Sequence, residues 1–402
     1  MPLFEYKAIS QAGDSINGRY NAKDRSEIMQ MLRSKSYHPV QIKEVSEGTD
    51  LSKLKVFNKV KTKDVAIFSR QFYAMLNAGV TIIQCLDILR LQTEKPYFRE
   101  VIEKVYESVQ KGSTLSEAMK EHQSVFPELF VSMVEAGEAS GNLDIIMERM
   151  ATHYEKENKI QNKIKGAMTY PMVLAVVSVA VVIFMLVAIL PTFLGMFEGT
   201  DVPLPGPTLF LLNISDALQN YWYLFLVGTI LLVYIIRRYI QTPVGRQQFD
   251  MLKLKIPVIK NTVIKVSTSR FTRTLSTLLA SGIPLLQAMD IVAKVVGNRV
   301  IANGIISVKE DMRKGYDLAG PIQRLDLFPP MVHSMIRIGE ESGSLDDVLQ
   351  RTADFYDEEV DVAIQKMTSM LEPIMIILMA VVIGFLVIAM YMPMMDMMQT
   401  IQ

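Results

Sequence analysis

Few residues in this chain are of a type and spacing that invite a chemical reading. Lys111-Gly-Ser-Thr114 resembles the end of a phosphate-binding loop, in which a glycine-rich turn cradles phosphate oxygens beside a lysine. Such a loop requires G-x-x-x-x-G-K-[ST], and the upstream glycine is missing at that spacing, so nucleotide hydrolysis is not expected. His38, His122, His153 and His333 are scattered, with no second ligand at metal spacing, and read as surface or half-buried side chains. Ser140 in "EASGN" has no nearby histidine with a positioned carboxylate, and no G-x-S-x-G elbow occurs. Cys85 is the single cysteine, which excludes disulfide frameworks and cysteine metal clusters. The reading is therefore of no catalytic, cofactor or metal site.

Charge does gather at two related places. Glu135, Glu138, Asp144 and Glu148 surround "GEASGNL" (137–143), and Glu340, Glu341, Asp346 and Asp347 surround "GEESGSL" (339–345). Carboxylates at a helix start complement its free amides; weak divalent-cation binding and a docking face for a basic partner are the competing readings. In each stretch the glycines permit the positive φ of a tight helix–helix turn, and Asn142 or Ser344 is placed to cap the next helix. Gly137, Glu138, Gly141, Leu143 and Asp144, with Gly339, Glu340, Gly343, Leu345 and Asp346, are thus candidate turn and partner-interface residues.

These two places belong to a duplication. "FSRQFYAMLNAGVTIIQCLDIL" (68–89) matches "FTRTLSTLLASGIPLLQAMDIV" (271–292), and "KGSTLSEAM" (111–119) matches "KGYDLAGPI" (314–322). After a one-residue deletion the correspondence continues from Phe126/Phe328 through Pro171/Pro373 to Pro191/Pro393. Each copy reads as roughly six helices. Val65, Phe68, Phe72, Met75 and Leu76 recur at helical spacing, with Gly79 and its counterpart Gly282 as left-handed C-caps. Thr114 to Glu117 reads as a capping box, whereas Asp317 to Gly320 keeps the capping residue without the reciprocal glutamate.

The last helix of each copy leads through charged sequence into a long apolar segment. A helix needs about 20 residues to cross a bilayer core. The segments 167–194 and 371–393 qualify, as does 218–236, flanked by Tyr221-Trp222-Tyr223 and Arg237-Arg238. Half the residues are apolar and the mean hydropathy is +0.23, consistent with membrane residence. Pro171 and Pro373 are expected to kink the continuous helices at the membrane surface; Pro191 and Pro393 lie near the far ends. Lysines precede the first span and Arg237, Arg238, Arg246, Lys253 and Lys255 follow the second, while the loop between has no Lys or Arg. The positive-inside rule then puts both modules and the N-terminus in the cytoplasm, and "MPLFEYKAIS" carries no secretory signal. Glu372 sits at the cytoplasmic edge of the third span opposite Tyr170, and no charge lies in the central part of any span. The tail "MYMPMMDMMQ" reads as an interfacial packing surface.

The expected fold class is mainly α: an integral membrane protein with three transmembrane helices, two duplicated six-helix cytoplasmic bundles and a small N-terminal ββαβ domain. The boundaries are an α+β domain (1–46), a linker (47–62), the first module (63–166) and the first span (167–194). An extracytoplasmic loop (195–217) follows, with a rigid "DVPLPGP" turn and an amphipathic segment, "TLFLLNISDALQ", suited to the outer interface. Then come the second span (218–236), a basic connector (237–264), the second module (265–368), the third span (371–393) and an extracytoplasmic tail (394–402). Lys+Arg and Asp+Glu both number 42, so no net charge points to nucleic acid.

Paired modules bearing "AGV"/"SGI", "KG…L", "FP" and GE-x-SG-x-L, each leading to a proline-started span, resemble the type II secretion F / type IV pilus assembly C family. The resemblance runs from "FEYKAI" to the last span. It implies a non-enzymatic, multi-pass platform protein of the inner (cytoplasmic) membrane with no cofactor. Its implied partners are a cytoplasmic hexameric assembly ATPase, pilins or pseudopilins, other inner-membrane assembly proteins and membrane lipid. It also implies that the protein couples the ATPase to subunit insertion. Homo-oligomerisation stays open. The alternative is a membrane-anchored scaffold or adaptor that docks soluble partners without moving filament subunits; a membrane enzyme would need a polar catalytic cluster that the sequence lacks.

Overall fold

The computed structural model describes residues 3–9, 15–22, 25–34, 37–45, 59–195 and 205–400. It divides into two units, one of residues 1–61 with 90–103, the other of 62–89 with 104–402. In the first unit, period-two alternation produces strands β1 (Leu3–Ile9), β2 (Ser15–Asn21) and β3 (His38–Val45), with helix α1 (Arg25–Ser34) between the last two. The sheet order is β2-β1-β3, antiparallel throughout, with a register shift at Lys7/Ala8 against β3. Ile28 and Leu32, one turn apart on α1, are buried with Ala8 and Ala22, edged by Tyr6 and Tyr37. The segment between β1 and β2, most of the 47–62 linker and the first part of "DVPLPGP" lie outside the described residues.

Each copy of the repeat forms six helices. The first has α2 (Thr62–Asn77), α3 (Ile82–Gln92), α4 (Pro96–Gln110), α5 (Leu115–Lys120), α6 (Glu128–Ser140) and α7 (Leu143–Phe184). A π-helical turn (Met185–Ile189) and α8 (Leu190–Leu194) extend α7, and α9 (Gly206–Gln241) follows. Within the expected basic connector lies a separate helix, α10 (Pro243–Lys255). The second copy has α11 (Pro257–Leu279), α12 (Leu285–Val295), α13 (Arg299–Arg313), α14 (Ala319–Leu325), α15 (Pro330–Ser342) and α16 (Leu345–Thr400). Its first helix begins ahead of the expected boundary at 265 because Pro257, with φ preset, starts it.

Equivalent residues build the two cores. Phe68 on α2 packs its ring 5.5 Å from Phe126, and Phe271 on α11 lies 4.8 Å from Phe328. Gly79 and Gly282 have φ of 81° and 80°, and the following amides, of Val80 and Ile283, return to the carbonyls of Met75 and Leu278. These are paired Schellman endings, which only a residue tolerant of positive φ closes without strain. The capping box is formed: Thr114 Oγ1 accepts from Glu117 N and Glu117 Oε2 accepts from Thr114 N, both at 3.2 Å. In the second copy Asp317 Oδ1 accepts from Gly320 N at 3.2 Å.

Three helices, Leu143–Leu194, Gly206–Gln241 and Leu345–Met395, are long and apolar enough to cross a membrane. Neither α7 nor α16 is interrupted at Pro171 or Pro373; the backbone irregularities fall at the π turn and at Tyr221 (φ −125°, ψ 25°), which breaks α9 in two. The first half of α9 does not lie free on an outer interface. Thr208, Leu211 and Ser215 are buried, and Leu211 joins a cluster with Leu186, Leu190, Leu194, Leu386 and Ala389 from the two repeat spans.

Proline chemistry explains this placement. Pro393 has no amide hydrogen for the carbonyl of Ala389, four residues earlier. In the π turn Leu190 N is committed to Met185 O, and the next residue that would serve Leu186 O is Pro191. Both freed carbonyls find donors on α9: Thr208 Oγ1 donates to Ala389 O at 2.5 Å and Ser215 Oγ donates to Leu186 O at 2.6 Å. Gln219 Nε2 also reaches Val187 O, at 3.4 Å. In apolar surroundings an unmet carbonyl costs about 1–3 kcal/mol, so α9 has a strong reason to dock here. Ser215→Ala is expected to destabilise the detergent-solubilised protein by about 1–3 kcal/mol in thermal unfolding. Thr229→Val, whose hydroxyl bonds only within its own helix, at Phe225 O, is the matched control and should leave the transition unmoved.

Candidate functional site: the seam between the two repeats

The GE-x-SG-x-L stretches are turns in which each glycine has a separate task. Gly141 and Gly343 close α6 and α15 with φ of 74° and 67°. The amides of Asn142 and Ser344 then bond to the carbonyls of Gly137 and Gly339 at 3.0 and 3.1 Å. Gly137 and Gly339 are themselves helical and are needed for close approach instead. A Cβ on Gly137 would lie 2.9 Å from Ile146 Cγ1, and one on Gly339 would lie 2.9 Å from the Cα of Leu345. Leu143 is buried and Leu345 half-buried at the heads of the two long helices. Asn142 stands at the N-cap of α7 but its side chain makes no cap bond, because its backbone (φ −109°, ψ 46°) is not in the extended region capping requires. The Ser344 hydroxyl pairs with Ser342 Oγ at 2.7 Å.

Glu138 and Glu340 reach across to a different motif. Glu138 accepts from the amides of Leu115 (2.5 Å) and Ser116 (3.0 Å) and from Ser116 Oγ (2.5 Å), at the start of α5. Glu340 accepts from the amides of Leu318 (2.6 Å) and Ala319 (3.1 Å), at the start of α14. A short helix presents unpaired N–H groups at its start, and a carboxylate there satisfies them and opposes the helix dipole. The "KG…L" and "GE" motifs are therefore two sides of one contact, made twice. Asp144 is exposed and Asp346 half-buried in the first turns of α7 and α16. Among the described residues no group of three or more His, Cys, Asp or Glu side chains is placed to hold a metal ion.

The long helices α7 and α16 run parallel and side by side. Lys156 Nζ lies 2.5 Å from Asp354 and 3.5 Å from Asp357, and seven residues later on both helices Lys163 pairs with Asp361. Ile160, Val360, Ile364 and Val266 of α11 are buried together, with Ile164 and Ala167 packed against them. Arg270 of α11 holds Glu157 with two bonds, of 2.5 and 3.0 Å. Arg273 of α11 is in ion-pair contact with Asp357, which also accepts from Ser269 Oγ at 2.7 Å. Lys156 and Lys163, among the lysines that precede the first span, therefore also pair the two long helices. The shared seven-residue step of Lys156/Lys163 and Asp354/Asp361 was the available signal of pairing.

His153 is buried beside this network, and its Nδ1 makes no hydrogen bond among the described residues. Burial pushes the imidazole down to about 4, against the upward pull of Glu157. Where the seam meets the spans, Lys163, Gly166 and Tyr170 of α7 and Asp361, Thr368 and Glu372 of α16 line a cleft of about 680 Å³. Pro171 and Pro373 lie just beyond, inside their helices, and Pro191 and Pro393 mark the far ends gripped by α9.

Gly339→Val should drive its side chain into the Leu345 backbone, with a loss of about 1–3 kcal/mol in thermal unfolding, overpacking being the cause. Acid has a defined effect through His153. From the ordinary value of 6.5 down to about 4, the unfolded chain binds a proton that the folded chain excludes, so stability falls as pH falls through that window. His153→Phe should remove about 1–3 kcal/mol of that loss. Superimposable pH–stability curves for the two proteins would count against a neutral, buried His153.

Comparison with known proteins fits this duplicated architecture. Residues 68–191 and again 271–393 match the family described as Type II secretion system (T2SS), protein F, and residues 1–43 match the N-terminal domain of type II secretion system protein F. The chain is similar to the type IV pilus assembly protein PilC of Thermus thermophilus, at 39% identity over 98% of this chain and 97% of the relative. It is 37% identical to the PilC protein of Myxococcus xanthus, covering 99% and 96%. It is 34% identical to type II secretion system protein F of Vibrio cholerae, covering 99% and 98%. With both copies of the repeat matched, three helices able to span a membrane and relatives aligned along their whole length, the chain belongs to the type II secretion system protein F family.

Proposed function

We propose that the protein is the inner-membrane platform of a filament-building machine of the type IV pilus or type II secretion kind. In this role it couples a separate cytoplasmic ATPase to the insertion of pilin or pseudopilin subunits and is not itself an enzyme. The observation that carries the reading is that α7, extended by the π turn and α8, and α16 each run from a GE-x-SG turn to the far end of a span, with the two paired along the way. A displacement applied at the turns would reach both spans through stiff, coupled rods. Both modules and the N-terminus lie in the cytoplasm on this reading, as the lysines and arginines beside the spans favour.

The GE-x-SG turns take part in the contact with the ATPase. Glu138 and Glu340 are committed to capping, so the contact falls to exposed carboxylates beside them, of which Glu135 and Asp144 in the first copy and Glu341 in the second are the ones proposed. Glu135→Lys, Asp144→Lys and Glu341→Lys together should leave membrane insertion intact while abolishing co-purification with the assembly ATPase and filament or pseudopilus formation. Full assembly by the triple variant would sink the contact. Thr200→Cys labelling from the same side as Ile338→Cys would sink the topology.

A further inference from the structure

We infer that α10 is a membrane-lying elbow whose outer face rests on a bilayer surface containing anionic phospholipid. The inference rests on α9 crossing a membrane and not on the filament-assembly reading.

The inner face of α10 is fastened to the protein. Asp250, 2% exposed, accepts from the amide of Arg299 at 2.9 Å and from Lys253 Nζ at 2.9 Å, and its own carbonyl accepts from Asn298 Nδ2 at 3.2 Å. Gly245 is buried so tightly on the last turn of α9 that a Cβ would meet Tyr239 O at 2.1 Å. Thr242, between the helices, accepts from Gly245 N at 3.1 Å and caps the new helix. The joint is rigid and places α10 directly at the end of the span.

The opposite face is apolar and open. Val244, Gln248, Met251, Leu252 and Lys255 fall at i, i+4, i+7, i+8 and i+11, one face of a helix. Val244, Met251 and Leu252 are 62%, 43% and 52% exposed, a costly arrangement against water. Orientation comes from Gln248, whose Oε1 accepts from the Tyr239 hydroxyl at 2.8 Å. Tyr239 stands at the base of the α9 span, so this face of α10 is turned toward the membrane side of the elbow.

Charge selects the lipid. From 237 to 260 the chain carries Arg237, Arg238, Arg246, Lys253, Lys255 and Lys260, and its one carboxylate is the buried Asp250. Arg237, Arg238, Lys255 and Lys260 are exposed and have no ion-pair partner among the described residues. A cationic cluster directly beside a span, with apolar side chains at its centre, suits an anionic headgroup layer with accessible acyl chains beneath it.

The test uses the full chain, Cys85→Ala, with a fluorophore on Leu252→Cys or, as control, on Ile338→Cys, reconstituted without other proteins. Vesicles contain brominated phosphatidylcholine or brominated phosphatidylglycerol as quencher. The Leu252 label should be quenched more by brominated phosphatidylglycerol than by brominated phosphatidylcholine, and the control by neither. Lys255→Gln should reduce that preference roughly fivefold, the worth of one cation near the surface, and added salt should reduce it further. Three results would overturn the inference: a Leu252 label as unquenched as the control, equal quenching by the two lipids, or shielding from both lipid and aqueous quenchers, as a protein partner or second copy would give. None of these bears on whether the ATPase is coupled to filament assembly.

Discussion

The pairing of α7 with α16 sets the frame for the larger unit. Two parallel helices, one from each repeat, are held by an apolar strip of Ile160, Ile164, Val360 and Ile364 with Lys–Asp pairs on either side of it. Half-exposed ion pairs contribute about 0–1 kcal/mol each, whereas burying one such isoleucine contributes about 1.5–3 kcal/mol. The apolar strip therefore supplies the stability. The ion pairs supply register, because a slip along the seam would separate each lysine from its aspartate and bring it toward residues spaced for another partner. Glu157, Asp357 and Arg270, drawn from α7, α16 and α11, tie the second copy's first helix to the same line.

Backbone hydrogen bonding governs both ends of this frame. At the far end, prolines at equivalent places in the two spans strip partners from carbonyls that water does not reach, and α9 supplies hydroxyls to both. The segment between the repeats thus joins their spans, and a polypeptide made only of two copies would leave those carbonyls bare. At the near end, the unpaired amides of α5 and α14 are met by Glu138 and Glu340. Duplication kept the solution with the problem: each copy carries both the helix start and its acceptor, some 20 residues apart in sequence.

Family membership and geometry account for different things. The family match explains why "KG…L" and GE-x-SG occur twice; the geometry explains why the two must occur together. It also separates carboxylates by what they are free to do. Glu138 and Glu340 are consumed by the fold, whereas Glu135, Asp144 and Glu341 face outward. A cluster that looks uniform as a string of acids is thus divided between architecture and surface.

The sequence alone determined the features whose physical cause is local or periodic. The helices of both copies, the left-handed glycines at 79 and 282, the capping box at Thr114 and the apolar lengths of the spans all follow from residues close together in the chain. The repeat itself was legible because equal positions carry equal residue types. What tertiary structure decided involved partners far apart. "TLFLLNISDALQ" has the amphipathic pattern of an interfacial helix, and nothing local reveals that its hydroxyls meet carbonyls at 186 and 389. The helices continue through Pro171 and Pro373, and the non-α backbone falls at 185–189 and at Tyr221, where nothing in the local sequence marks it. Lys156 and Asp354 meet across 198 residues. Periodicity tells which face of a helix is apolar; only the packed chain tells what that face, and each polar group beside it, is set against.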